Sequence, residues 1–154
     1  MSPPVAEHHE LVRPEWIDRN GHMNLAYYVV IFDHATDVLF DSLGIGEAYT
    51  ANTGNSIFVL ETHTLYEREL KAGERVRVHS YVVAADAKRL HFAHEMFADA
   101  AGRAAMHELV ALHVDMRTRR GAAFPPDRQT AIAAAVAQPH LPPGLGRRVG
   151  LTRT

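Results

Sequence analysis

Asp18-Arg19-Asn20-Gly21-His22-Met23-Asn24 runs directly into Leu25-Ala26-Tyr27-Tyr28-Val29-Val30-Ile31-Phe32, a polar turn opening onto eight consecutive apolar residues. Asp and Asn side chains hydrogen-bond to nearby backbone and Gly21 allows a positive φ, so Asp18 to Gly21 reads as a turn. Asn24 stands where a helix N-cap belongs, its side chain placed to accept from an N–H of the first helical turn. From Leu25 the spacing predicts a helix to about Leu43, because Leu25, Tyr28, Val29, Phe32, Ala35, Thr36, Leu39 and Leu43 keep one face. Val30, Ile31 and Phe40 make its first part apolar nearly all round, as expected of a helix enclosed by other structure. A carboxylate (Asp18), an imidazole (His22) and an amide (Asn24) therefore gather at the positive end of a buried helix. That end is suited to bind or develop negative charge.

Asp18-x-x-Gly21-His22-Met23-Asn24-x-x-Tyr27 resembles the Asp-x-x-Gly-His-hydrophobic-Asn-x-x-Tyr signature of hotdog-fold acyl-CoA thioesterases of the 4-hydroxybenzoyl-CoA type. Further segments are similar to one branch, the betainyl-CoA thioesterases associated with carnitine breakdown, some of them fused to carnitine dehydrogenase. These are Arg13-Pro14-Glu15-Trp16-Ile17-Asp18, Phe32-Asp33-His34-Ala35-Thr36-Asp37, Asp86-Ala87-Lys88-Arg89-Leu90-His91, Leu112-His113-Val114-Asp115 and Phe124-Pro125-Pro126. One position departs: Leu25 stands where many members carry a second Asn, so any role of that amide is absent. The resemblance implies an α+β hotdog domain, an antiparallel sheet of about five strands wrapped around one central helix. It also implies an acyl-CoA substrate, no cofactor, and active sites formed between subunits of a homodimer or homotetramer.

Composition bounds the alternatives. The chain has 154 residues, 47% hydrophobic and 22% charged, which suits one domain with a real core. A net charge of −2 gives no basic field for nucleic acid. With no cysteine there is no disulfide, thiolate nucleophile or Cys-based zinc site. Met1 to Glu10 does not read as a signal peptide, and no apolar run approaches the roughly 20 residues that cross a bilayer. The expectation is a cytoplasmic, membrane-free protein.

Along the chain, His8 to Ile17 reads as a first strand that Pro14 confines to an edge or bulge. Gly44 and Gly46 stop the helix, and Glu47 to Asn55 reads as a loop. Four strands follow: Ser56–Leu70, Arg75–Ala84, Lys88–Ala98 and Arg103–Arg117, with turns at Lys71–Glu74, Asp86–Ala87 and Asp99–Gly102. The hotdog domain is placed at residues 5–126. Beyond it, Gln129 to Ala137 forms a short helix, and 138–154 is a Pro/Gly-rich tail, mobile or packed on a neighbouring subunit.

Thioester hydrolysis needs an activated water or nucleophile, and donors aimed at the oxygen where charge develops. Asp18 is placed for the first role, as base or as nucleophile. Backbone N–H groups between Gly21 and Leu25 are placed for the second, since first-turn donors are otherwise unpaired. The catalytic set is thus Asp18, Gly21, His22 and Asn24. Glu61, which shares parity with His63 beside Val59 and Leu65, is the second-choice carboxylate, either in a buried Glu61–His63 couple or at a pocket.

A betainyl group ends in a trimethylammonium, recognised by aromatic faces and negative charge. Candidate substrate contacts are Trp16, Tyr27, Tyr28, Phe58, His63, Tyr66 and Phe92, with Trp16 nearest the signature and Glu61 as counter-charge. Coenzyme A phosphates call for basic residues: Arg68, Lys88, Arg89, Arg117 and Arg119. Eleven histidines raise the question of metal, but His91 and His94 face opposite sides of a strand, and His94 and His107 across a hairpin are only two ligands. No catalytic metal is expected. The competing classes are a non-catalytic acyl-CoA binding module, a thioesterase for another short-chain or aromatic acyl group, and a hydratase, whose Asp/His spacing is absent.

Overall fold

The computed structural model describes residues 3–99, 101–136 and 141–151. Strand β1 (Ala6–Leu11) leads into a 3-10 turn (Pro14–Trp16) and helix α1 (Leu25–Ser42). A short helix α2 (Glu47–Thr53) precedes β2 (Asn55–Tyr66), β3 (Arg75–Ala85), β4 (Arg89–Ala98) and β5 (Arg103–Asp115). A two-residue strand β6 (Arg120–Gly121) and helix α3 (Pro126–Ala135) follow. The strands form one antiparallel sheet in the order β1-β3-β4-β5-β2, with β6 added beside β5. It curls around α1, the expected hotdog arrangement.

Period-two alternation decides which residues enclose the helix. Val76, Val78, Ser80 and Val82 of β3, then Leu90, Phe92, His94, Met96 and Ala98 of β4, are all buried. So are Ala105, His107, Leu109, Ala111 and His113 of β5. Against these rows α1 packs Tyr28, Ile31, Phe32, Ala35 and Leu39. Each large apolar side chain buried this way contributes about 1.5–3 kcal/mol.

Three of the inward residues are histidines, and each has hydrogen-bond partners within the fold. Thr36 Oγ1 donates to Phe32 O (2.9 Å), so it accepts from His94 Nε2–H (2.8 Å), leaving Nδ1 to accept from Ser80 Oγ (2.7 Å). His113 donates from Nδ1 to Ala122 O (2.8 Å) and accepts from Tyr49 Oη (2.7 Å). His107 pairs with Thr64 Oγ1 (2.7 Å) and lies flat on Phe32 with ring centroids 4.9 Å apart. His94 and His107 do stand opposite each other across the β4–β5 hairpin.

Several element boundaries differ from the sequence reading. Pro14 begins the 3-10 turn rather than interrupting a strand, and β1 ends at Leu11. Of the Glu47–Asn55 stretch, Glu47–Thr53 is a helix, not a loop; it is pinned by Tyr49 to His113 and stopped at Gly54, whose φ is 73°, and Asn55 already begins β2. Strand β2 stops at Tyr66, where Glu67 and Arg68 both turn their N–H groups onto Ala104 O (2.8 and 3.0 Å). Strand β5 stops at Asp115, whose side chain accepts from Arg117 N (2.8 Å). Helix α3 starts at Pro126, a residue suited to the first helical position, and buries Ile132 in the core beside Leu39 and Phe40.

The described part of the tail folds over its own sheet. Arg103, paired with Glu67 and Glu95, donates to Pro143 O (2.8 Å), and Gly146 N donates to Glu108 Oε2 (2.7 Å). These outward polar side chains anchor the strap. Residues 138–140 and 152–154 of the tail, and Ala137 and Ala100, lie outside the described residues.

Burial pushes His94 down to about 3 and His107 down to about 4, from an ordinary 6.5; the nearby His107 and His63, respectively, add to the shift. The unfolded chain takes up these protons as pH falls through 6.5, and the folded chain does not. Stability is therefore full above about pH 6.5 and falls on acidification toward pH 4, by up to about 1.4 kcal/mol per pH unit for each histidine. Urea midpoints at pH 7 and pH 5 should differ accordingly, and His107→Gln should reduce the difference. Equal midpoints at the two pH values would contradict neutral burial of these rings.

Candidate active site

The turn before α1 is a small hairpin. Asp18 N donates to His22 O (3.1 Å), Gly21 N to Asp18 O (3.0 Å), and Ile17 bridges Met23. Gly21 sits at φ 81°, which an L side chain rarely adopts. The Asp18 carboxylate accepts from Asn20 N at Oδ1 (2.8 Å) and from Asn24 Nδ2 at Oδ2 (3.4 Å). Asn24 also caps α1, its Oδ1 accepting from Ala26 N (3.0 Å), an interaction worth about 1 kcal/mol. One amide therefore joins the carboxylate to the helix start.

Of the backbone donors between Gly21 and Leu25, three are consumed. Gly21 N serves the turn, Met23 N donates to Leu70 O (2.7 Å), and Asn24 N donates to Trp16 O (2.9 Å). Among the described residues, the N–H groups of His22 and Leu25 have no hydrogen-bond partner. The Leu25 N–H is at the first position of α1, where the helix dipole is most positive.

A cavity of about 450 Å³ opens here, lined by Asp18, His22, Leu25, Tyr28, Tyr66 and Arg68, with Glu67 and Glu69 at its edge. Tyr28 is buried and donates to Arg68 O (2.8 Å); burial pushes its hydroxyl up to about 12. Tyr66 is exposed and packs edge-on against Tyr28, centroids 5.1 Å apart. A larger groove of about 620 Å³ lies between α1, α2 and β2, but Asp33, Asp37, Asp41 and Glu47 line it. Burial, then the charge of Asp33, pushes the Asp37 carboxyl up. Among the described residues, no basic side chain lines that groove to offset its carboxylates against a polyphosphate ligand, whereas Arg68 lines the Asp18 cavity, which is the better candidate.

The structure brings Asp18, Gly21, His22, Asn24, Tyr28, Tyr66 and Arg68 together and disperses the rest. Trp16 is buried, with Tyr27 stacked on it at 5.3 Å and the Arg13 guanidinium 5.0 Å from its ring centroid. Its aromatic surface is already used. Phe92 is fully buried in the core against Phe40 and His94, so it presents no face to a substrate.

A register shift between Val59 and Glu61 puts an extra residue, Leu60, into β2. Val59 then opposes Ala111 and Glu61 opposes Val110, on opposite faces. Glu61 and His63 share the outer face with His91 and Glu108, in a cavity of about 220 Å³ separate from that of Asp18. The buried Glu61–His63 couple does not form: Glu61 is exposed, and no hydrogen bond joins the two. Phe58 lies on the exposed edge strand under Arg119, whose guanidinium is 5.9 Å from the ring centroid.

The basic candidates fall at two ends. Arg68 bonds Ala104 O at one end of β5, while Lys88 O accepts from His113 N at the other. Nine residues of strand separate them, about 30 Å at 3.3 Å per residue. Arg89 is tied to Asp86 (2.7 Å), Arg117 to Asp115 (3.4 Å), and Arg119 follows in the same turn. No periodicity in the sequence announces this division, because it is a product of sheet register.

The sequence profile of the thioesterase-like superfamily matches residues 12–135, which include the whole of this site. The chain belongs to that superfamily. Among its members, the betainyl-CoA thioesterase of Pseudomonas aeruginosa is 36% identical over 155 residues, covering 98% of both chains. The L-carnitine dehydrogenase/betainyl-CoA thioesterase of Agrobacterium fabrum is 34% identical over 84% of this chain, which spans only 26% of that longer protein. A Staphylococcus aureus protein solved in complex with CoA superposes with a TM-score of 0.87 at 29% identity, over 99% of each chain. For this thioesterase-like chain the hotdog fold is therefore the shared scaffold, and the Asp18 turn is its most reactive-looking feature.

Proposed function

We propose that this chain hydrolyses an acyl-CoA thioester, betainyl-CoA, to glycine betaine and CoA, at the cavity before α1. The observation that carries the reading is a carboxylate, Asp18, held by Asn24 beside the unpartnered N–H of Leu25. The thioester carbonyl oxygen sits on the Leu25 N–H at the positive end of α1, where its developing charge is stabilised. Asp18 either takes the proton of the attacking water or attacks the carbonyl carbon itself, and the C–S bond breaks with the thiolate of CoA as leaving group; in the second route water then cleaves the acyl–Asp18 anhydride, releasing glycine betaine and regenerating the carboxylate. Gly21 and Asn24 hold the turn in shape, and His22 lines the same cavity. The Pseudomonas enzyme's name and the CoA bound to the Staphylococcus protein support this substrate class.

The acyl group is small, which restricts where its charge is read. In betainyl-CoA the nitrogen is two bonds from the carbonyl carbon, about 2.5 Å. Whatever recognises the cation lies in the cavity of Asp18 itself. Tyr66 offers an exposed ring there, and Asp18 and Glu69 offer negative charge, Glu67 being paired with Arg103. Trp16 and, within one chain, Glu61 are replaced in that role.

A homodimer built on β2 completes the site. β2 is a free edge carrying Phe58, Val59 and Leu60, all exposed, whereas the other edge, β1, shows Glu7 and His9. Leu25 and Val29 extend the same apolar surface along α1. Two-fold antiparallel pairing of β2 sets the Tyr66 end of one strand against the Asn55 end of the other. The basic residues at the far end of β5, about 30 Å of strand from the Arg68 end in one chain, then approach the Asp18 cavity across the interface, where Arg117 and Arg119 of the partner subunit meet the CoA phosphates with Arg68. Sedimentation equilibrium should give a dimer at micromolar concentration; a stable, active monomer would overturn this arrangement.

The acyl assignment is tested by comparing betainyl-CoA with 3,3-dimethylbutyryl-CoA, its neutral isostere. Cation–π attraction of about 0.5–2 kcal/mol corresponds to roughly 2- to 30-fold in kcat/KM, and nearby carboxylates widen the gap. Tyr66→Leu should narrow it. Equal kcat/KM for the two thioesters would remove the cation specificity and leave a thioesterase for other short-chain acyl groups. Absence of CoA release from any acyl-CoA would leave a binding module.

A further inference from the structure

Period-two alternation along β1 sends His8 and Glu10 to the same face, toward α1, while Glu7, His9 and Leu11 face outward. On α1, His34 projects to meet them. His8 Nε2 lies 2.9 Å from Glu10 Oε2, and His34 Nδ1 lies 2.9 Å from the same oxygen and 3.1 Å from Oε1. All three potential donor atoms fall within 4.8 Å of one another. The two imidazoles converge edge-on, centroids 6.2 Å apart and planes 75° apart.

We infer that His8, Glu10 and His34 form a binding site for a divalent transition-metal ion of the zinc class. Two imidazole nitrogens and one carboxylate oxygen are a donor set that such ions favour over calcium or magnesium, which take mostly oxygen. Two metal–ligand bonds of about 2.05 Å at a tetrahedral angle span about 3.3 Å, so each nitrogen, now 2.9 Å from Glu10 Oε2, withdraws by about 0.4 Å to admit the ion. The ion takes the place of the protons that now bridge these atoms.

Asp33 and Asp37 on the same helix add negative potential; Asp37 is near enough to His34 for their charges to interact. His34 is 42% exposed on its side chain, so solvent reaches the site and water fills the remaining coordination positions. Ten residues of α1 separate His34 from Asn24, about 15 Å along the axis, which sets this site apart from the Asp18 turn. The consequence is mechanical: an ion here clamps the edge strand β1 onto α1.

The test is a zinc titration of the full chain by calorimetry after chelator treatment, with thermal unfolding in parallel. One tight site per chain is expected, with an increase in Tm on zinc addition. Loss of outer partners of a metal site costs about 10- to 100-fold in affinity, so loss of a ligand should cost at least about 100-fold. His34→Asn and Glu10→Gln, each checked for native circular dichroism, should both show that loss and no zinc-dependent Tm. His9→Asn and His79→Asn, which remove imidazoles paired with Glu7 rather than Glu10, should leave binding unchanged. Wild-type titration without a tight site, or one that survives both His34→Asn and Glu10→Gln, would overturn the assignment and leave a plain carboxylate–histidine cluster.

Discussion

Burial of α1 against the inward rows of β3, β4 and β5 is the constraint on which the rest of the structure depends. Ile31, Phe32, Ala35 and Leu39 are fully buried, and Phe32 lies flat on His107. At about 1.5–3 kcal/mol for each large side chain, this burial outweighs any single cap or turn by several-fold. The helix cannot shift along its axis without vacating those positions. Its N-terminus is therefore fixed in space, and the turn before it inherits that position through Met23 to Leu70 and Asn24 to Trp16. Rigid presentation of a helix start is what makes two backbone N–H groups and one carboxylate usable together.

The same burial explains which parts of the molecule the sequence revealed. The helix and four of the long strands are legible because apolar spacing at 3.6 or 2 residues is a direct imprint of enclosure. Asn24 as cap and Gly21 as turn are legible because each residue type has few other uses there. Helix α2 is not legible: it buries nothing, and Tyr49 to His113 holds it from 64 residues away. The Leu60 bulge is equally silent in sequence, and it alone separates Val59 from the face of Glu61 and His63. Trp16 has the composition of a ligand contact, but Tyr27 and Arg13 occupy its ring.

Long-range register accounts for what remained. Arg68 and the Lys88–Arg89 and Arg117–Arg119 groups are alike in sequence yet stand about 30 Å apart on one sheet. His8, Glu10 and His34 are spread over 26 residues and converge only because β1 runs alongside α1. In the proposed dimer a second copy pairs at the β2 edge, where Phe58, Val59 and Leu60 are exposed, and supplies the other end of the sheet to the site.

The central claim is that Asp18, held beside the Leu25 N–H, performs the chemistry. Steady-state turnover of betainyl-CoA by Asp18→Asn tests it most directly, because the amide retains the size of the side chain and the acceptor for Asn20 N while removing its negative charge. kcat should fall by about 100-fold or more, with circular dichroism and association state unchanged. A variant that turns over within a few-fold of the native chain would contradict it and move the chemistry away from this turn.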